Sequence, residues 1–238
     1  MPARTGSEED PTREAPAAVL FDMDGVLVDT EGLKAEAHAL TVARLGGKVP
    51  ASLYEAVMGE PHAVVARAFA DAGGVPLDLV AYGRAFAEAY ESLVEDRLEI
   101  TPGAIEVLRA LAGGECRLAV VSSSQRRMME RILRLTRLAG YFAASISAED
   151  VRDEKPSPEP YLRALRALGV PSGRAVAVED TETGIEAARR AGLRVIAVRH
   201  RYNSQHDLSR AAVVLPSLAD TEAAVRAIVT RLRRSVSS

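Results

Sequence analysis

Short runs of continuous apolar residues alternate with longer segments of helical periodicity along most of the chain. Continuous runs of Ala, Val, Leu and Ile are typical of strands that are covered on both faces. Four such runs predict buried strands: Ala17–Phe21, Arg117–Val121, Ala175–Val178 and Arg194–Val198. Val213–Leu215, closed by Pro216, is a weaker fifth candidate. The alternation predicts an α/β fold whose core is a Rossmann-like parallel sheet flanked by helices.

One long stretch interrupts this alternation with helical periodicity alone. It contains four predicted helical segments: Leu33–Leu45, Ala51–Met58, His62–Ala72 and Leu77–Leu98. The pattern predicts an inserted all-α cap over residues 31–98, with residues 17–30 and 99–238 forming the core and residues 1–16 a disordered tail. Where the core resumes, Thr101 is the expected N-cap of a helix with Pro102 at its first position.

Composition and charge are those of an ordinary soluble globular protein of 238 residues, with 47% hydrophobic residues, 26% charged residues and a net charge of −3. The net charge does not indicate a nucleic-acid partner, and no apolar run approaches the length of a membrane-spanning helix. Cys116 is the only cysteine, and the first sixteen residues lack the apolar core of a secretory signal. We therefore expect a cytoplasmic protein without nucleic-acid or membrane partners; the oligomeric state stays open.

Acidic residues follow the first predicted strand in the segment Phe21–Thr30, which reads FDMDGVLVDT. Asp22 and Asp24 are two residues apart at the end of an extended run, so both side chains point toward the same side. Gly25 gives the backbone freedom to turn away. An acidic turn is the simplest interpretation of an isolated Asp-x-Asp; the apolar strand before it and the residues after it favour a functional one.

Polar residues also follow two other predicted strands, and the carboxyl ends of parallel strands face a common crevice. Ser122–Ser124 precede a helix predicted over Gln125–Thr136, where free N–H groups and hydroxyls can bind an anion or simply cap the helix. Glu179 and Asp180 end the third strand, where two adjacent acids suit Mg²⁺ better than a mere dipole interaction. Lys155, in the loop Lys155–Pro158, is one of three lysines in the chain.

These four motifs, in this order, resemble those of the haloacid dehalogenase superfamily, over roughly residues 17–30 and 101–220. The resemblance implies a Mg²⁺-dependent phosphatase that acts on a small phosphorylated metabolite, such as a sugar or polyol phosphate, through an aspartyl-phosphate. It implies that Asp22 is the nucleophile and that Asp24 is the acid and base. The implied phosphate ligands are Ser122, Ser123 and Lys155. The implied metal ligands are Asp22, Asp24 and Asp180, with Glu179 as second choice. The insertion resembles the helical cap of the β-phosphoglucomutase-like branch, and the weaker expected substrate contacts are Ser124, Arg126, Lys34 and His62.

Several alternatives to a phosphatase remain open at this point. A sugar-phosphate mutase of the same branch would have a histidine twelve residues after the nucleophile, where this chain has Lys34, and a cap arginine where a rough alignment gives His62. His38 lies one helical turn from Lys34 and is a substitute in principle, although a helix histidine is more often surface-exposed. Asp24 argues against a dehalogenase and against phosphonate cleavage. A non-catalytic phosphate-binding protein is more remote, because none of the motifs is degraded.

Overall fold

The core of the protein is a parallel sheet, seen in a computed structural model that describes residues 16–113 and 116–230. Its six strands are β1 (Ala18–Phe21), β2 (Arg117–Val121), β3 (Ala144–Ile146), β4 (Ala175–Glu179), β5 (Arg194–Val198) and β6 (Val213–Leu215). Their order across the sheet is β3-β2-β1-β4-β5-β6, and all neighbouring strands are parallel. The predicted α/β fold with a parallel sheet is thereby confirmed.

The strands predicted from continuous apolar runs are all present, and so is the weaker fifth candidate. β1 begins one residue later than predicted, at Ala18, and β4 extends one residue further, to Glu179. β3 was not predicted from the sequence. It has only three residues, of which only Ile146 is buried, because it forms the edge of the sheet and lacks the continuous apolar run of a central strand.

The helices are α1 (Glu31–Arg44), α2 (His62–Gly73), α3 (Leu79–Arg97), α4 (Ala104–Ala112), α5 (Arg126–Leu135), α6 (Glu159–Leu168), α7 (Glu182–Arg190) and α8 (Thr221–Thr230). Helices α1 to α4 all lie between β1 and β2, which confirms a helical insert at that point. The predicted helix over Ala51–Met58 is instead a 3-10 helix over Ala51–Ala56. It ends just before a turn in which Gly59 adopts a φ of 81°, a conformation that stops helical continuation.

The inserted helices have an apolar cluster of their own. Its members include Val42, Phe69 and Tyr82, each of which is completely buried. Other residues of the insert, including Tyr90 and Val94, instead join the apolar cluster that covers one face of the sheet. The division into a cap of residues 31–98 and a core of residues 17–30 and 99–238 stays a prediction. The tail predicted for residues 1–16 lies outside the described residues, apart from Pro16.

The return from the insert to the core differs from the prediction. Helix α4 begins at Ala104, and its N-cap is Gly103 with a φ of 86°, so Thr101 is not the N-cap and Pro102 is not the first helical residue. Gly103 is required there because an added Cβ would lie 2.0 Å from the backbone oxygen of Leu218. None of the helices in the described part of the chain combines the length and apolar character needed to cross a membrane.

Candidate active site

Side chains from the ends of three adjacent strands meet at one edge of the sheet. β2, β1 and β4 are neighbours, so the residues that follow them, Ser122, Asp22 and Asp180, come together as expected from parallel strands. The backbone N–H of Asp22 continues the ladder by donating to Val178 O at 2.9 Å. All three side chains are buried. The convergence that the strand ends predict is therefore present in the structure.

Lys155 connects Asp22 with Glu179, the last residue of β4. Its ammonium group donates to Asp22 Oδ1, to Glu179 Oε1 at 2.7 Å and to the backbone oxygen of Val121 at 3.1 Å. The side chain is only 6% exposed, so these contacts are made largely out of water. A buried ammonium group beside a buried carboxylate offsets the repulsion that a phosphate would otherwise meet there.

Glu179 has donors on both carboxylate oxygens. Oε1 accepts from Lys155 and from the hydroxyl of Tyr161 at 2.5 Å, while Oε2 accepts from the backbone N–H of Asp180 at 3.1 Å. The carboxylate fills the space beside Gly184, where an added Cβ would lie 2.1 Å from its atoms. Glu179 is completely buried and is held as the partner of Lys155.

Asp24 receives hydrogen bonds on both of its oxygens. Thr30 Oγ1 donates to Oδ1 at 2.6 Å, and Lys34 Nζ lies 3.1 Å from the same oxygen. Ser122 Oγ and Ser124 Oγ donate to Oδ2 at 3.2 Å and 3.0 Å. Ser124, expected only as a weak substrate contact, thus lies next to the predicted acid and base.

The Lys34 ammonium also contacts Glu31, an acidic residue of the same helix, and a phenolic hydroxyl holds that acid in turn. Glu31 Oε1 lies 2.8 Å from Lys34 Nζ, and Tyr54 OH donates to Glu31 Oε2 at 2.8 Å. Burial by itself would raise the pKa of Asp24, but the Lys34 charge and the hydrogen bonds outweigh it and lower that pKa. Conversely, burial would lower the pKa of Lys34, but Asp24 and Glu31 raise it well above its usual value. Asp24 and Lys34 therefore form a charged pair.

The other two central aspartates have the opposite shift. Burial raises the pKa of Asp22 well above its usual value; Lys155 opposes this, while Glu179, Asp180 and Asp24 add to it. Burial and the charge of Glu179 likewise raise the pKa of Asp180. Both carboxylates lack enough nearby positive charge, which is the condition that a bound cation relieves.

The donor set can be compared with what Mg²⁺ requires. Two ammonium groups, Lys34 and Lys155, face five buried carboxylates: Asp22, Asp24, Glu31, Glu179 and Asp180. Within the described residues no three His, Cys, Asp or Glu side chains are already grouped as a metal site. Lys155 contacts Asp22, and His200 contacts Asp180. The excess of hard oxygen donors and negative charge nevertheless fits Mg²⁺, which uses few carboxylates together with water and phosphate oxygens.

Comparison with known proteins identifies the family. The model of the haloacid dehalogenase-like hydrolases matches residues 19–198. The chain belongs to the haloacid dehalogenase-like hydrolase family. It is 33% identical over 199 residues to the phosphorylated carbohydrates phosphatase of Thermotoga maritima, covering 83% of this chain and 92% of that protein. It is 31% identical over 183 residues to the fructose-1-phosphate phosphatase YqaB of Escherichia coli, covering 77% and 96%.

A solved structure gives the branch of the family. CbbY from Rhodobacter sphaeroides, in complex with xylulose-1,5-bisphosphate, superposes with a TM-score of 0.74 at 29% identity, covering 86% of this chain and 96% of that one. The comparisons confirm a haloacid dehalogenase-like phosphatase with a helical cap of the β-phosphoglucomutase and CbbY type. Members of this family are typically Mg²⁺-dependent.

Three of the other predicted residues lie at or beyond the margin of this cluster. Ser123 is exposed. Arg126 is also exposed, and its guanidinium is paired with Asp150 at 2.6 Å. His62 is the first residue of α2 and lies in an aromatic group of the insert, 5.0 Å from the ring of Phe86. The family motifs do not indicate that Ser123 and Arg126 are exposed or that His62 lies among aromatic rings.

His38 is not the surface histidine that its helical position suggested. It is only 2% exposed, its Nδ1 lies 3.0 Å from Tyr82 OH, and its ring centroid lies 4.2 Å from that of Phe86. Burial, aided by the nearby charges of His62 and Lys34, lowers its pKa to about 3, so the ring is neutral. Packing of α3 against α1 causes this burial, and the pattern of α1 alone does not reveal it.

His200 and Asn203 are site residues that the sequence analysis missed. His200 Nε2 lies 2.9 Å from Asp180 Oδ2, and Asn203 Nδ2 donates to the backbone oxygen of Asp180 at 2.9 Å. A usable signal was present, because His200 lies two residues after the last residue of β5, next to β4 in the sheet. The polar residues after this fourth strand belong to the same edge as those after the other three.

Proposed function

We propose that the chain is a Mg²⁺-dependent phosphatase that hydrolyses a small sugar or polyol phosphate through an aspartyl-phosphate on Asp22. The observation that carries the proposal is the buried contact between Lys155 and Asp22, with Asp24 held beside Ser122 on the adjoining strand end. Among the described residues, this arrangement supplies one carboxylate, Asp22, whose side-chain donor is Lys155, and a second carboxylate, Asp24, fixed close by. Nucleophilic and proton-transfer roles are thereby separated between two residues.

In the first step Asp22 attacks phosphorus while the bond to the leaving alcohol oxygen breaks, and Asp24 donates a proton to that oxygen. Lys155 and the Ser122 hydroxyl bind the transferring phosphoryl group, with Ser123 contributing its backbone N–H. In the second step Asp24 takes a proton from water, which attacks phosphorus and releases inorganic phosphate from Asp22. The first step uses the protonated form of Asp24, which the second step regenerates when the carboxylate takes a proton from water. The lowered pKa of Asp24 favours the carboxylate form, which is the form that the second step requires.

We further propose that Asp22, the backbone carbonyl of Asp24 and Asp180 hold the metal ion. When bound, Mg²⁺ would neutralise charge on the phosphoryl group. Glu179 is a weaker choice as a direct ligand, because both of its oxygens already accept hydrogen bonds from the protein. The relatives that act on phosphorylated carbohydrates and fructose 1-phosphate support the substrate class.

The test is to assay the purified protein against a panel of phosphorylated sugars and polyols, with Mg²⁺ and with excess chelator, beside Asp22→Asn. We expect phosphate release that is metal-dependent and absent from Asp22→Asn, since an amide cannot replace the attacking carboxylate. Activity of Asp22→Asn above a trace would refute the nucleophile assignment, and full activity in chelator would refute the metal.

A further inference from the structure

The loop that follows β5 holds Asp180 from two sides. His200 reaches the carboxylate of Asp180, with 2.9 Å between Nε2 and Oδ2, and Asn203 donates to its backbone oxygen at 2.9 Å. We call these two residues the clasp. The chemistry proposed above gives neither of them a role, yet both form hydrogen bonds with the same residue, Asp180.

The clasp is itself fixed by further hydrogen bonds. Asn203 is completely buried, and its Nδ2 also donates to the backbone oxygen of Val198, the last residue of β5, at 2.8 Å. Its Oδ1 accepts from the backbone N–H of His200 at 2.9 Å. The loop is therefore anchored to the sheet next to Asp180, and His200 has a defined position relative to that carboxylate.

The hydrogen bonds of His200 also define which ring nitrogen bears the proton. The backbone N–H of Tyr202 points to His200 Nδ1 at 3.3 Å, so Nδ1 is the acceptor and Nε2 bears the proton in the neutral ring. Nε2 then donates to Asp180 Oδ2. On the opposite side Gly25 closes the space, because a Cβ there would lie 2.4 Å from Asp180 Oδ2 and 2.9 Å from His200 Nε2. Oδ2 is thus enclosed between the clasp and the loop that follows Asp22 and Asp24.

We infer that His200 is a positioning residue for the metal site: by engaging Oδ2 it fixes the carboxylate of Asp180 so that Oδ1 is offered to a divalent cation. The inference rests on the proposed function in one respect, since it takes Asp180 as a metal ligand. Hydrogen bonds of this kind orient ligating groups, and the loss of one typically weakens metal binding roughly 10–100-fold.

The experiment is a titration of the full-length, substrate-free protein with Mn²⁺ as a paramagnetic substitute for Mg²⁺, with free Mn²⁺ measured by electron paramagnetic resonance. The readout does not depend on turnover. We expect His200→Leu to weaken Mn²⁺ binding by roughly 10-fold or more. His200→Gln should restore most of the affinity, because its amide nitrogen can donate from nearly the same position. His206→Leu is the matched control, since His206 in the same loop lies against the Glu182 N–H at 3.4 Å and not against Asp180.

Wild-type affinity in His200→Leu would overturn the inference, and so would an equal loss in His206→Leu, which would mean that the whole loop had been disturbed. Thermal unfolding in excess chelator verifies that each variant is folded. If His200→Leu does not fold, His200→Asn takes its place, because its shorter amide cannot reach Asp180. Asp180→Ala separates the two proposals: affinity like that of the wild type in this variant would refute the metal assignment itself.

Discussion

Lys34 Nζ lies 3.1 Å from Asp24 Oδ1, so a residue of the inserted helix α1 contacts the proposed acid and base of the core. The motif-based expectation placed Lys34 among the substrate contacts. In the structure its charge is engaged by Asp24 and Glu31, which makes it a partner of the proposed acid and base before any substrate arrives.

This contact predicts a pH effect. The Lys34 charge lowers the pKa of Asp24, whereas burial alone would raise it. Lys34→Met should therefore raise the pKa of Asp24, and the acidic limb of the kcat profile should move to higher pH, because water activation needs the carboxylate. The exposed Lys48 is the matched control, and Lys48→Met should retain the wild-type profile. If the acidic limb of the kcat profile has the same pH midpoint in Lys34→Met as in the wild type, the role given to Lys34 is contradicted.

The position of Glu179 leads to a second prediction, about rate and metal affinity. Glu179→Gln keeps the volume of the side chain but replaces one acceptor oxygen with an NH₂ donor. That donor must face other donors, either Lys155 and Tyr161 or the Asp180 N–H, so hydrogen bonds are lost. We expect kcat to fall about 10–100-fold, equivalent to losing a charged hydrogen bond worth ~1.5–3 kcal/mol, while Mn²⁺ affinity falls much less. An affinity loss as large as that of Asp180→Ala would instead make Glu179 a direct metal ligand.

A third prediction concerns the close packing of Gly184 against Glu179. An added Cβ would lie 2.1 Å from the carboxylate, so Gly184→Ala must displace Glu179 and with it Lys155. Overpacking of this kind costs about 1–3 kcal/mol, which should appear as a lower midpoint of urea unfolding together with reduced activity. Gly173→Ala is the control, because nothing lies within 4 Å of a Cβ there. Equal midpoints for the two variants would show that Glu179 can move at little cost.

The fold could be predicted from sequence where the apolar pattern within one strand or helix is enough to show that the element is buried. The apolar runs of β1, β2, β4 and β5 are continuous because these strands are covered on both faces. The edge strand Ala144–Ile146 has no such run, and the 3-10 helix over Ala51–Ala56 has a local pattern close to that of an α-helix.

The site was predictable to the extent that its residues follow strand ends in recognisable motifs. His200 and Asn203 follow the predicted strand Arg194–Val198 and so carry the same strand-end signal, but their contacts with Asp180 depend on β5 lying beside β4, a pairing that the sequence does not display. His38 was misjudged for the same reason, since Tyr82 and Phe86 reach it from a helix more than forty residues away. Contacts between distant segments decide burial and partners, and no local periodicity encodes them.

The last prediction separates a phosphatase from a sugar-phosphate mutase. A mutase must protect its aspartyl-phosphate from water while the sugar turns over, whereas a phosphatase must admit water that Asp24 can deprotonate. The mutase histidine is replaced by Lys34, which is bound to Asp24, and His38 cannot substitute for it because it is buried against Tyr82 and Phe86. Both observations favour net hydrolysis.

The measurement is an incubation with β-glucose 1-phosphate, a trace of glucose 1,6-bisphosphate and Mg²⁺, followed by quantification of glucose 6-phosphate and inorganic phosphate. Phosphate release without isomerisation, or inactivity on this sugar together with phosphate release from other esters, is the expected result. Asp22→Asn in the same mixture should yield neither product, because both reactions would pass through the proposed nucleophile, the Asp22 carboxylate. Glucose 6-phosphate formed without comparable inorganic phosphate would make the protein a mutase, since it would show that the phosphoryl group returns to sugar faster than water reaches it.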